Sequence, residues 1–389
     1  MSGTMFEQLL TTTRIVRTDR LTADDLDRLI LYCAGPDASV AVIEDNRPFG
    51  SRDRMLEAFA ALRPLVRQNR VFPDPKVDDI MAMARALAGR GTDVIVGIGG
   101  GSTLDSAKGV AAVLSNGGDL DDYLGTTPVR KIEKRDVKLI LIPTTAGTGS
   151  EMTRFGVYTA RTGRKYTLAS PWLQADAAVL VTEYTSDLPA PLTASTSFDA
   201  LSHALETLWN RNATPVSDRA AAEAAVRILR WMEPAFDCSA DGRREMLEGA
   251  CMAGIAFNRT GTAAVHALSF ILSEEWHVPH GVACAFSLED VMLENLHDPA
   301  TAEKLAGVAR TLFGDAPHDS LLCRLRDRIV ELKRKFGLPF TFADLGVHAG
   351  PGELQPLFEK ALDDPKMGNN VVPFDMGVVN RIIASKCQP

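Results

Sequence analysis

No Cys-x-x-Cys pair, no apolar run long enough to cross a bilayer and no surplus of basic residues occur in this chain of 389 residues. The six cysteines (Cys33, Cys238, Cys251, Cys284, Cys323, Cys387) are scattered, and in so long a chain they read as reduced, mostly buried thiols of a cytoplasmic protein. The opening stretch MSGTMFEQLLTTTRIVR lacks the apolar core of a signal peptide. The absence of a spanning run removes the membrane as a setting. The formal charge of −8 argues against nucleic acid as a partner. Histidine is scarce, with seven in the whole chain, so any grouping of histidines carries information.

What is present suits a soluble protein of two domains, each with its own core. The first half alternates short apolar runs with helical patterns. Ser39–Ile43 (SVAVI), Asp93–Gly97 (DVIVG), Val137–Ile142 (VKLILI) and Ala177–Val181 (AAVLV) read as buried strands, and Arg52–Val66 as a helix. Such alternation implies an α/β domain with a parallel sheet covered by helices. The texture changes at Leu188–Pro191 (LPAP), after which the chain reads as all-α. The expected domains are therefore 1–188, dinucleotide-binding, and 189–389, helical and metal-binding. The charged runs at 130–136 (RKIEKRD) and 333–335 (KRK) read as solvated surface.

The strand DVIVG runs into IGGGSTLDSAK, where Gly97, Gly99, Gly100 and Gly101 clear side chains from a strand-to-helix turn. Backbone N–H groups can there approach a phosphate at the positive end of the helix. Ser102 reads as the helix cap, with Asp105 three residues on as in a capping box. A tight structural turn is the competing reading. A second tract after VKLILI, PTTAGTGSE, supplies Thr144, Thr145, Thr148 and Ser150 as hydroxyls. Two such loops suit a long dinucleotide. Asp45, past the SVAVI strand, is placed to accept from an adenosine ribose and to repel a 2′-phosphate, which favours NAD(H) over NADP(H).

Asp199 and His203 stand four residues apart in SFDALSHALET, on one helix face. His266 lies in TAAVHALSF and His280 in VPHGVACAF. Three imidazoles and one carboxylate make a borderline-soft divalent site, suited to Fe²⁺ or Zn²⁺. Glu206, one turn beyond His203, is placed to orient that shell. His277, in WHVPH, reads as a pocket wall.

GGGSTLDSAK, PTTAGTGSE, DALSHALE and VPHG occur in this order in the iron-containing (group III) alcohol dehydrogenases, which the chain resembles over nearly its whole length. The resemblance implies an α/β dinucleotide domain, an all-helical domain and a metal in the cleft between them. It puts the ligands on Asp199, His203, His266 and His280, the phosphate loop on Gly99–Ser102, the nicotinamide side on Thr144, Thr145 and Ser150, the selector acid on Asp45, and Lys165 close to the cofactor. One departure stands out. Where many members have a further histidine four residues after the third ligand, this chain has Phe270, which leaves the proton to water, a ribose hydroxyl or His277.

The implied activity is metal-dependent, NAD(P)H-linked reduction of an aldehyde to a primary alcohol, in a cytoplasmic homodimer. KYTLAS, the DALSHALETLWNRNATPVSD helix and GTAAVHALSF resemble the phosphonoacetaldehyde reductase branch. A phosphonate dianion needs cationic donors, for which Arg259 and Arg154 are the candidates. Lys165 is a third, and Phe257, Phe155, Phe270 and His277 are the expected remaining substrate wall. The alternatives are a general or lactaldehyde-type alcohol dehydrogenase, a lyase-cyclase of the dehydroquinate synthase type, and a binding protein that kept the fold without the reaction.

Overall fold

The computed structural model describes residues 11–387. They form two compact units. One holds the described residues up to Thr145 together with Gly149–Asp187, and the other holds Ala146–Thr148 and the chain from Leu188 onward.

The first unit is built on β1 (Arg14–Thr18), β2 (Val40–Glu44), β3 (Leu65–Gln68), β4 (Val94–Gly99), β5 (Lys138–Pro143) and β8 (Ala177–Val181). They form one parallel sheet in the order β1-β8-β5-β4-β2-β3. The period of two divides each strand between two cores. Val94, Val96 and Ile98 join Ile140 and Ile142 on one face, while Ile95 joins Leu139 and Leu141 on the other. The first face is covered by α1 (Ala23–Ala34) and α2 (Gly50–Leu62), and the second by α3 (Val77–Leu87) and α4 (Gly101–Asn116). A hairpin of β6 (Phe155–Thr159) and β7 (Lys165–Ala169) lies outside the main sheet, and the short helix α5 (Glu183–Ser186) ends the unit. Connections leave β2 and β4 in opposite directions across the sheet, so the loops after these neighbouring strands meet at a switch point, where α/β sheets bind ligands.

The second unit is helical among the described residues, apart from an isolated bridge between Asn210 and Asn370. Its helices are α6 (Ala190–Leu208), α7 (Pro215–Phe236), α8 (Ala240–Thr260), α9 (Ala264–Trp276), α10 (His280–Asn295), α11 (Pro299–Phe313), α12 (His318–Lys335), α13 (Pro351–Glu359) and α14 (Met376–Lys386). Helix α6 is buried over almost its whole length, including Ser197, Asp199, Ser202, His203, Glu206 and Thr207. A helix that carries so many polar groups into a core must satisfy them there. Gly281 lets α10 approach it: a Cβ at that position would lie 1.9 Å from the Ser195 carbonyl oxygen. No described helix is long and apolar enough to cross a membrane.

Four expectations change. The α2 helix stops at Leu62, and Leu65 and Val66 pair with Val40 and Ala41 in β3 instead. Strand β1 and the β6–β7 hairpin carry too few consecutive apolar residues to announce themselves. Lys333 is fully buried rather than solvated. It donates to Glu289 Oε1 at 2.7 Å, which also accepts from Lys386 at 2.8 Å, so one carboxylate ties α12 and α14 to α10. Of the six cysteines, all free, only Cys251 and Cys284 are buried.

Replacing Gly281 by alanine is expected to destabilise the chain by about 1–3 kcal/mol through overpacking against backbone. The Gly307→Ala change, in a helix where an added Cβ meets nothing within 4 Å, is expected to stabilise it by up to about 1 kcal/mol. Urea unfolding midpoints distinguish the two; equal midpoints would contradict the packing described for α10.

Candidate metal centre and dinucleotide loops

Asp199 and His203 lie one turn apart on α6, His266 is in the first turn of α9, and His280 opens α10. Asp199 Oδ1 is 3.6 Å from His266 Nε2, 3.5 Å from His280 Nε2 and 3.8 Å from His203 Nδ1. Asp199 Oδ1, His266 Nε2 and His203 Nδ1 are buried without a hydrogen-bond partner. Leaving such groups unpaired is costly, and electron-pair donors this close together fit a divalent cation. Burial opposes ionisation of Asp199, but the three imidazoles outweigh it and hold the carboxyl below the usual carboxylate range. Burial pulls His203 down to about 3, so its ring is neutral. His280 has 38% of its side chain exposed against 4% for Asp199, so the centre opens on the α10 side.

Glu206 explains how His266 is presented. Its carboxylate is fully buried and accepts from the backbone N–H of Ala263 (2.9 Å) and of His266 (3.1 Å), and lies 2.6 Å from His266 Nδ1. Burial raises the carboxyl's proton affinity, but His266 and the two N–H groups outweigh it, so Glu206 stays ionised. An ionised carboxylate only accepts, so Nδ1 carries a proton and Nε2 is the nitrogen turned toward Asp199. His203 is held by stacking, with its ring centroid 4.1 Å from Phe257 and 4.5 Å from His266. The donor atoms that lie within 4.8 Å of one another belong to Asp199, His266, His280 and Cys284. His203 Nδ1 adjoins this set, 3.8 Å from Asp199 Oδ1 and buried without a partner, and Cys284, which the sequence reading passed over, lies against the other three. The signal was available: Cys284 follows His280 by four residues, the spacing that joins Asp199 to His203.

In the first unit, Asp45 and Thr144 follow β2 and β5 while Gly99 ends β4 between them, with Glu44 opposite Ile98 and Gly99 opposite Pro143. The Thr144 N–H donates to Gly99 O at 3.0 Å. Gly99 tolerates no side chain, because a Cβ would meet Thr103 Oγ1 at 2.2 Å. The capping expectation is corrected here. Gly100 is the N-cap of α4 and makes no side-chain bond, while Gly101 and Ser102 lie within the first turn. Asp105 turns inward, accepting from Ser150 Oγ (2.6 Å) and the Val157 N–H (2.9 Å). With no side chain capping it, the helix start keeps its N–H groups for an anion.

Asp105 belongs to a buried network whose cation the sequence reading missed. Lys108 is fully buried and donates to Ser150 Oγ (2.8 Å), Thr153 Oγ1 (3.1 Å) and Phe155 O (2.6 Å), fixing the second loop to α4. Burial lowers the Lys108 ammonium to about 8 and raises nearby Glu151 to about 7. Ser150, expected beside nicotinamide, therefore has its hydroxyl engaged in this network. Thr145 and Thr148 are half-buried. Asp45 accepts from Arg52 Nη1 (3.2 Å) and the Arg47 N–H (3.1 Å). Arg52, 3% exposed, also pairs with Glu44 and Asp53, so the acid is oriented but also partly neutralised. Lys165 pairs with Asp74 at 2.8 Å.

The residues expected to form the cationic substrate wall lie at the surface. Arg259 is exposed, half a turn of helix away from the inward-facing Phe257. Arg154 is exposed, with its guanidinium 5.5 Å from the Phe155 ring. His277 is exposed and is the left-handed residue that ends α9 (φ 55°). Phe270 does flank the centre, its ring 6.1 Å from that of His280. Over Phe270 lies Lys366, its Nζ 3.9 Å from the ring centroid and bonded to both Asp364 carboxylate oxygens at 3.1 and 3.2 Å.

A buried carboxylate–imidazole cluster in one unit, and glycine-rich loops at a parallel-sheet switch point in the other, define the class of a metal-dependent dehydrogenase. Comparison with known proteins resolves the class further. The profile of iron-containing alcohol dehydrogenase matches residues 21–182, and that of the Fe-containing alcohol dehydrogenase C-terminal family matches residues 193–387. Long-chain-alcohol dehydrogenase 1 of Geobacillus thermodenitrificans is 35% identical over 71% of each chain. Sulfoacetaldehyde reductase of Bilophila wadsworthia is 35% identical over 62% of each chain. Among solved structures, a 1,3-propanediol oxidoreductase superposes with a TM-score of 0.87 at 26% identity, covering 95% of this chain and 97% of that one. The sulfoacetaldehyde reductase of Bifidobacterium kashiwanohense in complex with NAD⁺ gives 0.86 at 25% identity, covering 97% and 98%. The chain belongs to the iron-containing alcohol dehydrogenase family, an oxidoreductase family whose membership implies a metal and NAD(H).

Glu206→Gln is expected to weaken divalent-metal affinity about 10–100-fold, because the amide no longer enforces the His266 tautomer. Competition with a chelator measures this. Unchanged affinity would show that Glu206 is a packing residue only.

Proposed function

We propose that the chain reduces a small aldehyde bearing an anionic group, phosphonoacetaldehyde in the reading we favour, to its primary alcohol with NADH. The observation that carries the aldehyde chemistry is the convergence of Asp199, His266 and His280 on one point, with buried donor atoms left unpaired. Asp199, His266 and His280 would hold a divalent ion, which would supply Lewis-acid chemistry toward the carbonyl oxygen. His203, stacked between Phe257 and His266, serves as a further ligand or keeps that wall in place.

The remaining work falls to the chain's own groups. The N–H groups at Gly99–Ser102 take the pyrophosphate. Asp45, oriented by Arg52, accepts from the adenosine ribose, and Thr144 and Thr145 border the nicotinamide side. Lys108 keeps the second loop in register with the first. Phe270 carries no proton and His277 faces solvent, so water or the nicotinamide ribose hydroxyl supplies the proton.

Lys366 supports the anionic substrate. Its Nζ lies over the ring of Phe270, which in turn flanks His280, and its side chain is 16% exposed. The sulfoacetaldehyde reductases among the relatives are named for an aldehyde with a comparable acidic group. A general alcohol dehydrogenase is the second reading, favoured by the exposure of Arg259 and Arg154.

Steady-state kinetics on phosphonoacetaldehyde and propanal, with NADH and NADPH, test both. The anionic aldehyde and NADH are expected to be preferred. Lys366→Met is expected to lower kcat/KM for the anionic aldehyde by about 30-fold or more, the effect of removing about 2 kcal/mol of charge pairing, with little change for propanal. Better turnover of propanal by the wild type would return the reading to a general alcohol dehydrogenase. A preference for NADPH would mean that Arg47, exposed beside Asp45, governs cofactor choice.

A further inference from the structure

Lys366 is a cation held in a fixed place. The short turn Met367–Asn369 that follows it is anchored by Asn370, which is fully buried and donates to Asn295 Oδ1 on α10 and to Val372 O, each at 2.8 Å. The ammonium lies 3.9 Å from the centroid of the Phe270 ring, and that ring flanks the ring of His280 at 6.1 Å. A ring face attracts a cation without neutralising it. Asp364 does neutralise it. Its Oδ1 and Oδ2 accept from Lys366 Nζ at 3.2 and 3.1 Å, and Oδ1 also accepts from the Lys366 backbone N–H at 2.9 Å. An ammonium has three N–H groups, so one is left for a ligand. The side chains of Lys366 and Asp364 are 16% and 20% exposed, so solvent screens the pair only in part.

We propose that Asp364 is a specificity-determining residue: through Lys366 it sets how firmly, and at what charge, the acidic group of the substrate is held. This rests on the anionic-aldehyde reading and deepens it. An acidic group that reaches the free N–H of Lys366 also meets the Asp364 carboxylate. Each negative charge on the ligand gains from the ammonium and loses to the carboxylate, so a second charge adds little to binding. That attenuation has a use. Aldehyde and alcohol carry the same acidic group, so firm binding of that group would retain the product as well as the substrate and would not speed the chemical step. Lys366 supplies recognition, and Asp364 keeps it weak enough for release. Asp364 touches Lys366 rather than the reacting atoms.

Ethylphosphonate and ethanesulfonate share a carbon skeleton, differ in charge and carry no carbonyl to reduce. Their inhibition constants are measured above the second ionisation of the phosphonate for the wild type, Asp364→Asn and Lys366→Met. Asparagine keeps an acceptor for the Lys366 N–H and loses only the charge. Asp364→Asn is expected to tighten ethylphosphonate about tenfold or more, to tighten ethanesulfonate by a smaller factor, and to lower KM for phosphonoacetaldehyde more than it changes kcat. Lys366→Met is expected to weaken both probes, the phosphonate more. A merely loosened segment would move both constants by one factor, so an unchanged phosphonate-to-sulfonate ratio in Asp364→Asn would overturn the proposal. Two further results would overturn it without any aspartate variant: a strong wild-type preference for the phosphonate that disappears in Lys366→Met, or constants that Lys366→Met leaves unchanged. Better wild-type turnover of propanal than of phosphonoacetaldehyde, with the ratio still shifted by Asp364→Asn, would sink the substrate reading and uphold the role of Asp364.

Discussion

A buried carboxylate surrounded by imidazoles is the constraint on which the helical unit turns. Asp199 sits on a helix that is itself in the core, where an unpaired negative charge is costly. The groups around it are held by specific devices. Glu206 turns the His266 ring, Phe257 fixes the plane of His203, and Gly281 allows the start of α10 to reach Ser195. Further along α10, Glu289 is bonded to both Lys333 and Lys386, so α12 and α14 brace the helix that carries His280 and Cys284. The unit spends its buried polar groups on holding a few donor atoms in place.

The dinucleotide unit follows a different logic. Its sheet is apolar on both faces, and polar chemistry is confined to the strand ends. There Lys108 gathers Ser150, Thr153 and a carbonyl of the hairpin, so that two loops of separate sequence become one surface. The start of α4 is left without a side-chain cap, which is unfavourable for an isolated helix and useful where an anion is to bind.

Much of this was legible in the sequence because the responsible patterns are local. Runs such as SVAVI and VKLILI announce a buried strand, four-residue spacing puts two ligands on one face, and a glycine cluster between strand and helix marks a phosphate turn. What escaped depends on tertiary context. Lys333 lies in a run of three basic residues yet is buried, because Glu289 is two helices away in sequence and adjacent in space. Arg259 is seven residues from His266, but a helix end intervenes and turns it to solvent. Lys366, a hundred residues from His266, is brought over Phe270 by the fold alone. Ser102 reads as a cap by composition, whereas the backbone starts the helix earlier, at Gly101.

The central claim is that aldehyde reduction by this chain depends on one divalent ion held by the Asp199–His266–His280 cluster. Metal-free protein, prepared with a chelator and titrated anaerobically with Fe²⁺ or Zn²⁺ while NADH oxidation by an aldehyde is followed, tests it most directly. The account predicts negligible turnover before addition and recovery that saturates at one equivalent of metal per chain. Full aldehyde reduction by the metal-free protein would contradict it.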